Sequence, residues 1–458
     1  MGFFKAYDMR GTFGVDFDLD TVYRAGRALP KVVPGRRWLV GRDCRSTSAS
    51  ILEALVKGLG EAGVEVVNIG LCTTPMVYFF TAQDGFDGSV MITASHNPPT
   101  DNGLKVSMST ALPVGYANGL DAVERLVAAD AAHFEPDRAF QPASVSPEHL
   151  ARYLAWQKEQ TDSGLFSGLK YAVDASCGMA SLLVRELFPG ARIINDKLDG
   201  SFPCHSPNPL DSSAREQVSR LVREERLDCA IIFDGDADRA MFVDENGCFV
   251  QSDYLIPIVA RATMARLAPT ERQGVKIIHD VRTSRGAIEA IREMGCESVM
   301  VPVGHAFAKP LLRKTGALCG GELAGHYYFR EFYGCDSGIL AALRILGEIA
   351  AAKKAGATFS EMMRPIAGRY ANSGELNFKI ADKDAAISRV LASAKQLGTE
   401  LSRSTMDGTR IEFAEGWINV RKSNTEPYLR ILAECDTSAR LHDWKRLLTE
   451  AVGCLQPR

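Results

Sequence analysis

Residues 38–69 read WLVGRDCRSTSASILEALVKGLGEAGVEVVNI and carry the clearest signal of fold class. Residues 38–40 are a short apolar run, apolar residues recur at helical spacing over 51–59, and 64–69 is rich in valine and isoleucine. An extended apolar run followed by a helical period and a second run is typical of a strand, a helix and a strand. The segment therefore predicts one unit of an α/β fold with parallel strands.

The same alternation occurs twice more along the chain. A second unit is predicted from strands at 171–173, 193–194 and 229–233 and helices around 182–188 and 218–222. A third is predicted from strands at 275–278 and 299–303 and helices around 288–291 and 339–349. From about Gly374 the pattern changes to short strands, an Asp407-Gly408 turn and a closing helix around 441–448. We predict an α/β protein with three similar mixed α/β domains and a smaller C-terminal α+β domain.

The predicted domain boundaries follow breaks in this pattern. Residues 134–147 are rich in Pro, Ser and Ala, and Asn246-Gly247 lies between two apolar runs, which is a strong hairpin signal. The expected ranges are 1–140, 141–245 and 246–365 for the α/β domains and 366–458 for the α+β domain.

Composition excludes several classes of protein. The chain has 458 residues, of which 46% are hydrophobic and 24% are charged, as in globular proteins rather than disordered or fibrous ones. A formal charge of -3 offers no basic surface for nucleic acid. The 11 cysteines form no C-x-x-C pair, the N-terminus lacks a signal-peptide pattern, and no apolar run is long enough to span a bilayer. We expect a cytoplasmic protein with no nucleic-acid or membrane partner.

Three carboxylates follow the predicted strand at 229–233. Asp234, Asp236 and Asp238 repel one another unless a cation neutralises them, and oxygen ligands favour Mg²⁺ or Ca²⁺. An EF-hand is an alternative because Glu245 falls at its twelfth position, but Arg239 stands where that loop needs glycine. A solvated acidic turn is a second alternative. A divalent-metal site is the favoured interpretation.

Three further loops carry side chains suited to chemistry. TASHNPP at 93–99 exposes a serine without the G-x-S-x-G pattern of a hydrolase, and Lys105 follows it as a potential acid or base. RKSNTEP at 421–427 offers donors that suit a phosphate, and GELAGH at 321–326 offers a carboxylate and an imidazole. Each loop taken alone is also compatible with an ordinary turn or a structural histidine.

The chain contains, in this order, FKAYDMRG at 4–11, TASHNP at 93–98, DGDADR at 234–239, GELAGH at 321–326 and RKSNTEP at 421–427. Together these five motifs resemble the α-D-phosphohexomutase superfamily over almost the whole chain. Segments GHAFAK at 304–309, CDSG at 335–338 and PNPL at 207–210 look most like its bacterial phosphomannomutases. Leu323 differs from the glutamine usual in the glucosamine branch, and Ala324 stands where many members carry serine, which leaves mannose or glucose preference open.

The resemblance implies four domains around a central cleft and a mutase that interconverts mannose 1-phosphate and mannose 6-phosphate, with glucose phosphates as further expected substrates. Ser95 is expected to carry a phosphoryl group and to transfer it to the sugar phosphate, which gives a hexose 1,6-bisphosphate. The same bisphosphate is expected to activate the enzyme. One Mg²⁺ per active site is expected. The expected partners are small hexose phosphates, the expected state is a monomer or homodimer, and domain IV is expected to move about residues 370–374.

The resemblance also implies a role for each site residue. The metal ligands are Ser95, Asp234, Asp236 and Asp238. The catalytic set is Ser95 with Lys105, Arg10, His96 and His305, among which the general base is left open. The substrate-binding set is Tyr7, Arg239, Arg282, His305, Glu322, His326, Arg421, Ser423, Asn424, Thr425 and Arg430.

Other functions stay open at this point. Within the superfamily these are phosphoglucomutase and phosphoglucosamine mutase. From other classes they are a phosphate-monoester hydrolase, which would lose the phosphoryl group to water, and a non-catalytic sugar-phosphate-binding homologue.

Overall fold

The computed structural model describes residues 2–161, 163–423 and 428–453. It contains four sheets, each packed with helices, and this arrangement confirms the predicted α/β class. None of the helices in these residues combines the length and hydrophobicity needed to cross a bilayer.

Domain I is a mixed sheet covered by helices. Its elements are β1 (Met9–Thr12), α1 (Leu19–Val32), β2 (Arg37–Arg42), α2 (Ser48–Glu61), β3 (Glu65–Leu71), α3 (Thr74–Gln83), β4 (Gly88–Ile92), β5 (Asp101–Met108), β6 (Leu112–Pro113) and α4 (Leu120–Ala129). The strand order is β1-β5-β4-β2-β3, with β6 beside β5. β2 runs parallel to β3 and β4, whereas β5 is antiparallel to its neighbours. The predicted strand, helix and strand of 38–69 correspond to β2, α2 and β3.

Domain II repeats the parallel core with a hairpin at its edge. Its elements are α5 (Pro147–Gln160), β7 (Tyr171–Asp174), α6 (Val184–Leu187), β8 (Arg192–Ile194), α7 (Ser212–Glu225), β9 (Cys229–Phe233), β10 (Ala240–Asp244) and β11 (Phe249–Val250). The order is β11-β10-β9-β7-β8. β10 and β11 pair antiparallel across Asn246-Gly247, so the predicted hairpin is confirmed. Gly247 has a φ of +73°, which favours glycine at this turn.

Domain III has the same parallel core. Its elements are α8 (Ile256–Met264), β12 (Lys276–Asp280), α9 (Arg285–Glu293), β13 (Glu297–Val301), α10 (His305–Thr315), β14 (Cys319–Gly321), β15 (Tyr327–Phe329), β16 (Cys335–Asp336), α11 (Gly338–Lys354) and α12 (Phe359–Ala367). The order is β13-β12-β14-β15-β16, with β12 parallel to β13 and β14.

Domain IV is an antiparallel sheet with helices on one side. Its elements are β17 (Ala371–Asn372), β18 (Leu376–Lys379), α13 (Lys383–Ala394), β19 (Glu400–Ser404), β20 (Thr409–Phe413), β21 (Gly416–Lys422), β22 (Tyr428–Cys435) and α14 (Ser438–Val452). The order is β17-β22-β21-β20-β19, with β18 beside β22. The sequence pattern does not single out α13, because its buried side chains are mainly alanine.

The cores divide the molecule unevenly. One continuous apolar cluster combines buried side chains of domains II and III with part of domain I, whereas the rest of domain I and domain IV each have a cluster of their own. A small cluster of Leu323, Trp417 and Leu432 joins the loop after β14 to β21 and β22. Domain IV therefore contacts the rest of the chain through a limited apolar surface.

Candidate active site

The motifs meet where parallel strands end. Residues 93–98 follow β4, 234–239 follow β9, 281–284 follow β12 and 322–326 follow β14. Ligand sites in α/β sheets form at the carboxyl ends of strands because adjacent loops diverge there. The sheets of domains I, II and III thus bring separate polar loops together.

Ser95 is held in a strained conformation beside a carboxylate. Its φ is 52°, in the left-handed region that a residue with a Cβ rarely adopts. Its Oγ donates a hydrogen bond of 2.9 Å to Oδ2 of Asp234, and its N–H donates to Oγ1 of Thr93 at 2.8 Å. Strain of this kind persists only where surrounding contacts enforce it, and it is common at active sites.

Arg45 supplies much of that enforcement. Its guanidinium is fully buried and pairs with Asp43 at 3.1 Å. It donates to the carbonyl oxygens of Ser95 at 2.9 Å and Asn97 at 2.7 Å, and two further bonds reach the carbonyls of Pro98 and Asp101. The serine loop is therefore held by one side chain from the loop after β2, and no sequence motif pointed to it. Two opposite charges, Asp43 and Arg45, shortly after a buried strand were the available signal.

The three aspartates form a compact buried cluster. Asp234, Asp236 and Asp238 each offer an oxygen within 4.8 Å of the others, and all three are fully buried. Burial, followed by the charges of Asp238 and Asp236, raises the pKa of Asp234 well above its usual value. Oδ1 of Asp236 and Oδ1 of Asp238 accept no hydrogen bond within the described residues. Such unsatisfied buried oxygens fit a hard divalent cation.

Burial and the flanking strands exclude the two alternatives for this loop. The solvated acidic turn is excluded because the carboxylates are inaccessible, and the EF-hand is wrong because β9 and β10 flank the loop instead of helices. Gly235 permits the loop to approach the serine loop, since a Cβ there would lie 2.6 Å from the carbonyl oxygen of Ser95.

Lys105 lies inside the aspartate cluster. Its Nζ donates to Asp236 at 2.7 Å and to Asp238 at 2.6 Å. Burial by itself lowers the pKa of Lys105, but the two carboxylates outweigh it and raise that pKa above its usual value. In this arrangement Lys105 keeps its proton, and a role as base requires it to leave the carboxylates.

Two other predicted catalytic residues flank Ser95. Nδ1 of His96 lies 3.4 Å from Oγ of Ser95. Burial, together with the charges of Arg239 and Arg10, holds the pKa of His96 well below its usual value. Arg10 is fixed by Asp8 at 2.6 Å and by Asn97 Oδ1 at 3.1 Å.

His326 is clamped between two charged groups. Nε of Arg239 donates to Nε2 of His326 at 2.9 Å, so Nδ1 carries the proton and donates to Asp336 at 2.7 Å. Asp336 is also paired with Lys309 at 2.8 Å. Both ring nitrogens are occupied, as in the structural-histidine alternative. His326 is expected to touch sugar only if Arg239 moves.

Glu322 and Tyr7 contact residues 303–305, the segment between β13 and α10. Glu322 accepts hydrogen bonds from Tyr328 at 2.5 Å and from the N–H of Gly304 at 3.2 Å, and burial raises its pKa. The Tyr7 hydroxyl donates to the Val303 carbonyl at 3.1 Å, and its ring packs edge-on against His305. Nδ1 of His305 is buried and has no hydrogen-bond partner in the described part of the chain. A buried ring nitrogen left without a partner suits a ligand contact.

A cluster of guanidinium groups forms the domain IV side. Arg282, which follows β12, Arg421 in β21 and Arg430 in β22 all contact the carboxylate of Glu375. The N–H of Ser423 donates to the carbonyl of Tyr428 at 2.9 Å. The predicted contacts Asn424 and Thr425 lie outside the described residues. Glu375 was not among the predicted site residues, because a single glutamate beside a glycine carries no distinctive signal.

Four family models match the chain along most of its length. They are described as Phosphoglucomutase/phosphomannomutase, alpha/beta/alpha domains I, II and III and C-terminal domain. The matched residues are 1–133, 148–247, 251–370 and 375–451 respectively.

Relatives of known description cover nearly the whole chain. A protein of Xanthomonas campestris pv. campestris described as phosphohexose mutases is 36% identical over 444 residues, 96% of each chain. A phosphomannomutase of Escherichia coli K12 is 34% identical over 448 residues, 94% of each chain. A crystal structure of a phosphoglucomutase/phosphomannomutase family protein from Burkholderia thailandensis superposes with a TM-score of 0.79 at 28% identity, covering 100% of this chain and 99% of that one.

Proposed function

The chain belongs to the phosphoglucomutase/phosphomannomutase family and is a phosphohexomutase, an intramolecular phosphotransferase; we propose that its substrates are mannose 1-phosphate and mannose 6-phosphate. The phosphomannomutases among its relatives support mannose as the sugar. Glucose phosphates are proposed as further substrates because the family description includes both activities. We also propose the sequence-predicted domain boundaries, moved only so that β11 stays with domain II and α12 with domain III, together with a cytoplasmic location and a monomeric or homodimeric state.

The observation that carries the mechanism is the position of Ser95. A strained serine lies 2.9 Å from Asp234, at the edge of a buried triad of carboxylates, where the loops after β4 and β9 meet. In the proposed reaction, phosphorylated Ser95 gives its phosphoryl group to the free hydroxyl of the sugar phosphate, and the hydroxyl loses its proton. The hexose 1,6-bisphosphate then turns around and returns its other phosphoryl group to Ser95.

Asp234, Asp236 and Asp238, with an oxygen of phosphorylated Ser95, are the proposed ligands of one Mg²⁺ ion. When bound, the ion supplies charge neutralisation for the phosphoryl group being transferred. The residues themselves orient the serine loop and exclude water, since the whole triad is buried.

Four residues are candidates for the base that takes the proton of the attacking hydroxyl. His96 lies beside Oγ of Ser95, Lys105 lies in the carboxylate cluster, and Arg10 is anchored to the serine loop through Asn97. Nδ1 of His305 has no hydrogen-bond partner among the residues that the structure describes. We propose that the base is one of these four residues.

The remaining residues are proposed to hold the sugar and the phosphate that is not reacting. Glu322 and His305 are proposed to bind sugar hydroxyls, and Tyr7 packs against His305. Arg282, Arg421 and Arg430 are proposed to hold phosphate with Ser423, Asn424 and Thr425. Because domain IV has its own core, we propose that it moves about residues 370–374 while the bisphosphate turns.

A phosphorus NMR time course tests the proposal. The purified chain is mixed with Mg²⁺, a trace of hexose 1,6-bisphosphate, and either mannose 1-phosphate or glucose 1-phosphate. We expect the 6-phosphate to appear from mannose 1-phosphate with wild-type protein and not with Ser95→Ala. Rates for the two sugars within about tenfold, or about 1.4 kcal/mol, would establish dual specificity. Release of free phosphate at the rate of isomerisation would instead favour a hydrolase, and no isomerisation of either sugar would remove the proposed substrates.

A further inference from the structure

Glu375 occupies the centre of the guanidinium cluster. Its Oε1 accepts from Nη1 of Arg282 at 3.3 Å and from Nη2 of Arg421 at 3.3 Å, and its Oε2 accepts from Nη1 of Arg430 at 2.9 Å. The side chain is 16% exposed, whereas Arg282 and Arg421 are almost fully buried. One carboxylate of this chain therefore holds three groups that come from two domains.

The contacts resemble those that a phosphate makes with arginines. A carboxylate and a phosphate both present several acceptor oxygens to the planar guanidinium fork. Two of the three contacts of Glu375 are longer than the range of about 2.7–2.9 Å typical of charge-assisted hydrogen bonds. Nε of Arg421 is buried and has no acceptor among residues 2–161, 163–423 and 428–453. The cluster thus keeps donor capacity that Glu375 does not use.

Glu375 stays ionised under assay conditions. Burial tends to raise its pKa, but the charges of Arg282, Arg430 and Arg421 outweigh burial and lower that pKa to about 2. A permanent negative charge at this place repels an incoming phosphate and competes for the same donors.

We propose that Glu375 is an internal anion that competes with the substrate's phosphate for Arg282, Arg421 and Arg430. The idea rests on the proposed function, in which these arginines hold the non-reacting phosphate. When the bisphosphate releases its phosphate in order to turn, Glu375 takes back the guanidinium contacts that the phosphate held, while Arg282 keeps its ion pair with Asp280 at 2.6 Å. Glu375 is therefore a positioning residue that lowers phosphate affinity and speeds the turn of the intermediate.

The binding of inorganic phosphate to the full chain tests this role directly. Isothermal titration calorimetry at fixed pH and ionic strength compares wild type with Glu375→Gln, which removes the charge but keeps the shape. We expect phosphate to bind about tenfold more tightly to Glu375→Gln, equivalent to about 1.4 kcal/mol. In the isomerisation assay, both KM and kcat are expected to fall, because tighter phosphate binding slows the turn.

Three variants make the test specific. Glu412→Gln removes a carboxylate that pairs with Arg285 and Arg410 at the boundary between domains III and IV, and phosphate affinity is expected to stay at the wild-type value. Adding Arg421→Ala to Glu375→Gln is expected to abolish the gain, which assigns the phosphate to this cluster. Glu375→Asp, which shortens the carboxylate side chain, is expected to bind phosphate with an affinity between those of wild type and Glu375→Gln. It replaces Glu375→Gln in the test if that variant does not fold.

The opposite result has a clear meaning. If Glu375 only keeps the arginines in place, Glu375→Gln binds phosphate equally or more weakly and its KM rises, and the proposal is overturned. Weaker binding by a folded Glu375→Asp overturns it as well. Failure of the proposed function is separable: wild type would then isomerise neither sugar, while the comparison of phosphate affinities would still decide the role of Glu375.

Discussion

Replacing Arg45 separates the stability of the serine loop from its position. The Arg45–Asp43 pair is almost fully buried, so Arg45→Met leaves a buried carboxylate without its partner. Breaking a buried ion pair on one side costs about 3–5 kcal/mol, and we expect a loss of that size in the free energy of unfolding. Adding Asp43→Asn removes the buried charge and is expected to recover most of that loss.

Activity is expected to behave differently in the two variants. Arg45 holds the carbonyls of Ser95, Asn97, Pro98 and Asp101, and methionine offers none of those four hydrogen bonds. A misplacement of about 1 Å at a reacting group costs about 100-fold in rate, or about 2.7 kcal/mol of activation free energy. We therefore expect kcat to fall about 100-fold in the single variant and to stay low in the Arg45→Met/Asp43→Asn double variant.

The assay is isomerisation kinetics alongside urea unfolding of wild type and both variants. The informative comparison is the double variant, because it is expected to be stable and slow. If stability and kcat recover together in the double variant, Arg45 acts only by neutralising Asp43, and the inference that it positions Ser95 is refuted.

Two further outcomes follow from buried carboxylates. Asp236→Asn is expected to weaken Mg²⁺ binding by more than about tenfold in calorimetry, since it removes a charged oxygen from the triad. The control is Asp244→Asn, because the Asp244 carboxylate already accepts hydrogen bonds from the N–H groups of Asn246 and Cys248. Equal weakening of Mg²⁺ binding by both variants would contradict the prediction. Burial raises the pKa of Asp253 to about 7. Above about pH 4 the folded chain therefore keeps a proton on Asp253 that the unfolded chain loses. The stabilisation that this proton gives the folded chain falls as pH rises towards 7. The melting temperature of Asp253→Asn minus that of wild type should therefore be more positive at pH 8 than at pH 5, and a difference independent of pH would show that Asp253 does not titrate in this range.

Much of the fold could be predicted because its signals are local. The apolar runs at 38–40, 171–173 and 229–233 became buried strands, and the Asn246-Gly247 turn became the predicted hairpin. α13 lacked such a signal because alanine marks a buried helix face only weakly. The antiparallel strands that complete each α/β sheet also depend on pairing partners far along the chain.

The candidate site divides in the same way. The loops at 93–98, 234–239 and 321–326 are short contiguous motifs, so the sequence alone was enough to predict their residues as site candidates. The sequence could not predict the ionisation of these residues or their hydrogen-bond partners. Lys105 lies between Asp236 and Asp238, and both ring nitrogens of His326 make hydrogen bonds.

The sequence by itself determined the alternation of strands and helices, the chemical type of each loop and the family, because these depend on neighbouring residues. Only the tertiary structure decided which charges meet. Arg45 reaches Ser95 across 50 positions of sequence, and Arg282 reaches Glu375 across 93. Ion pairs and buried hydrogen bonds depend on distance and desolvation in space, and a linear pattern encodes neither.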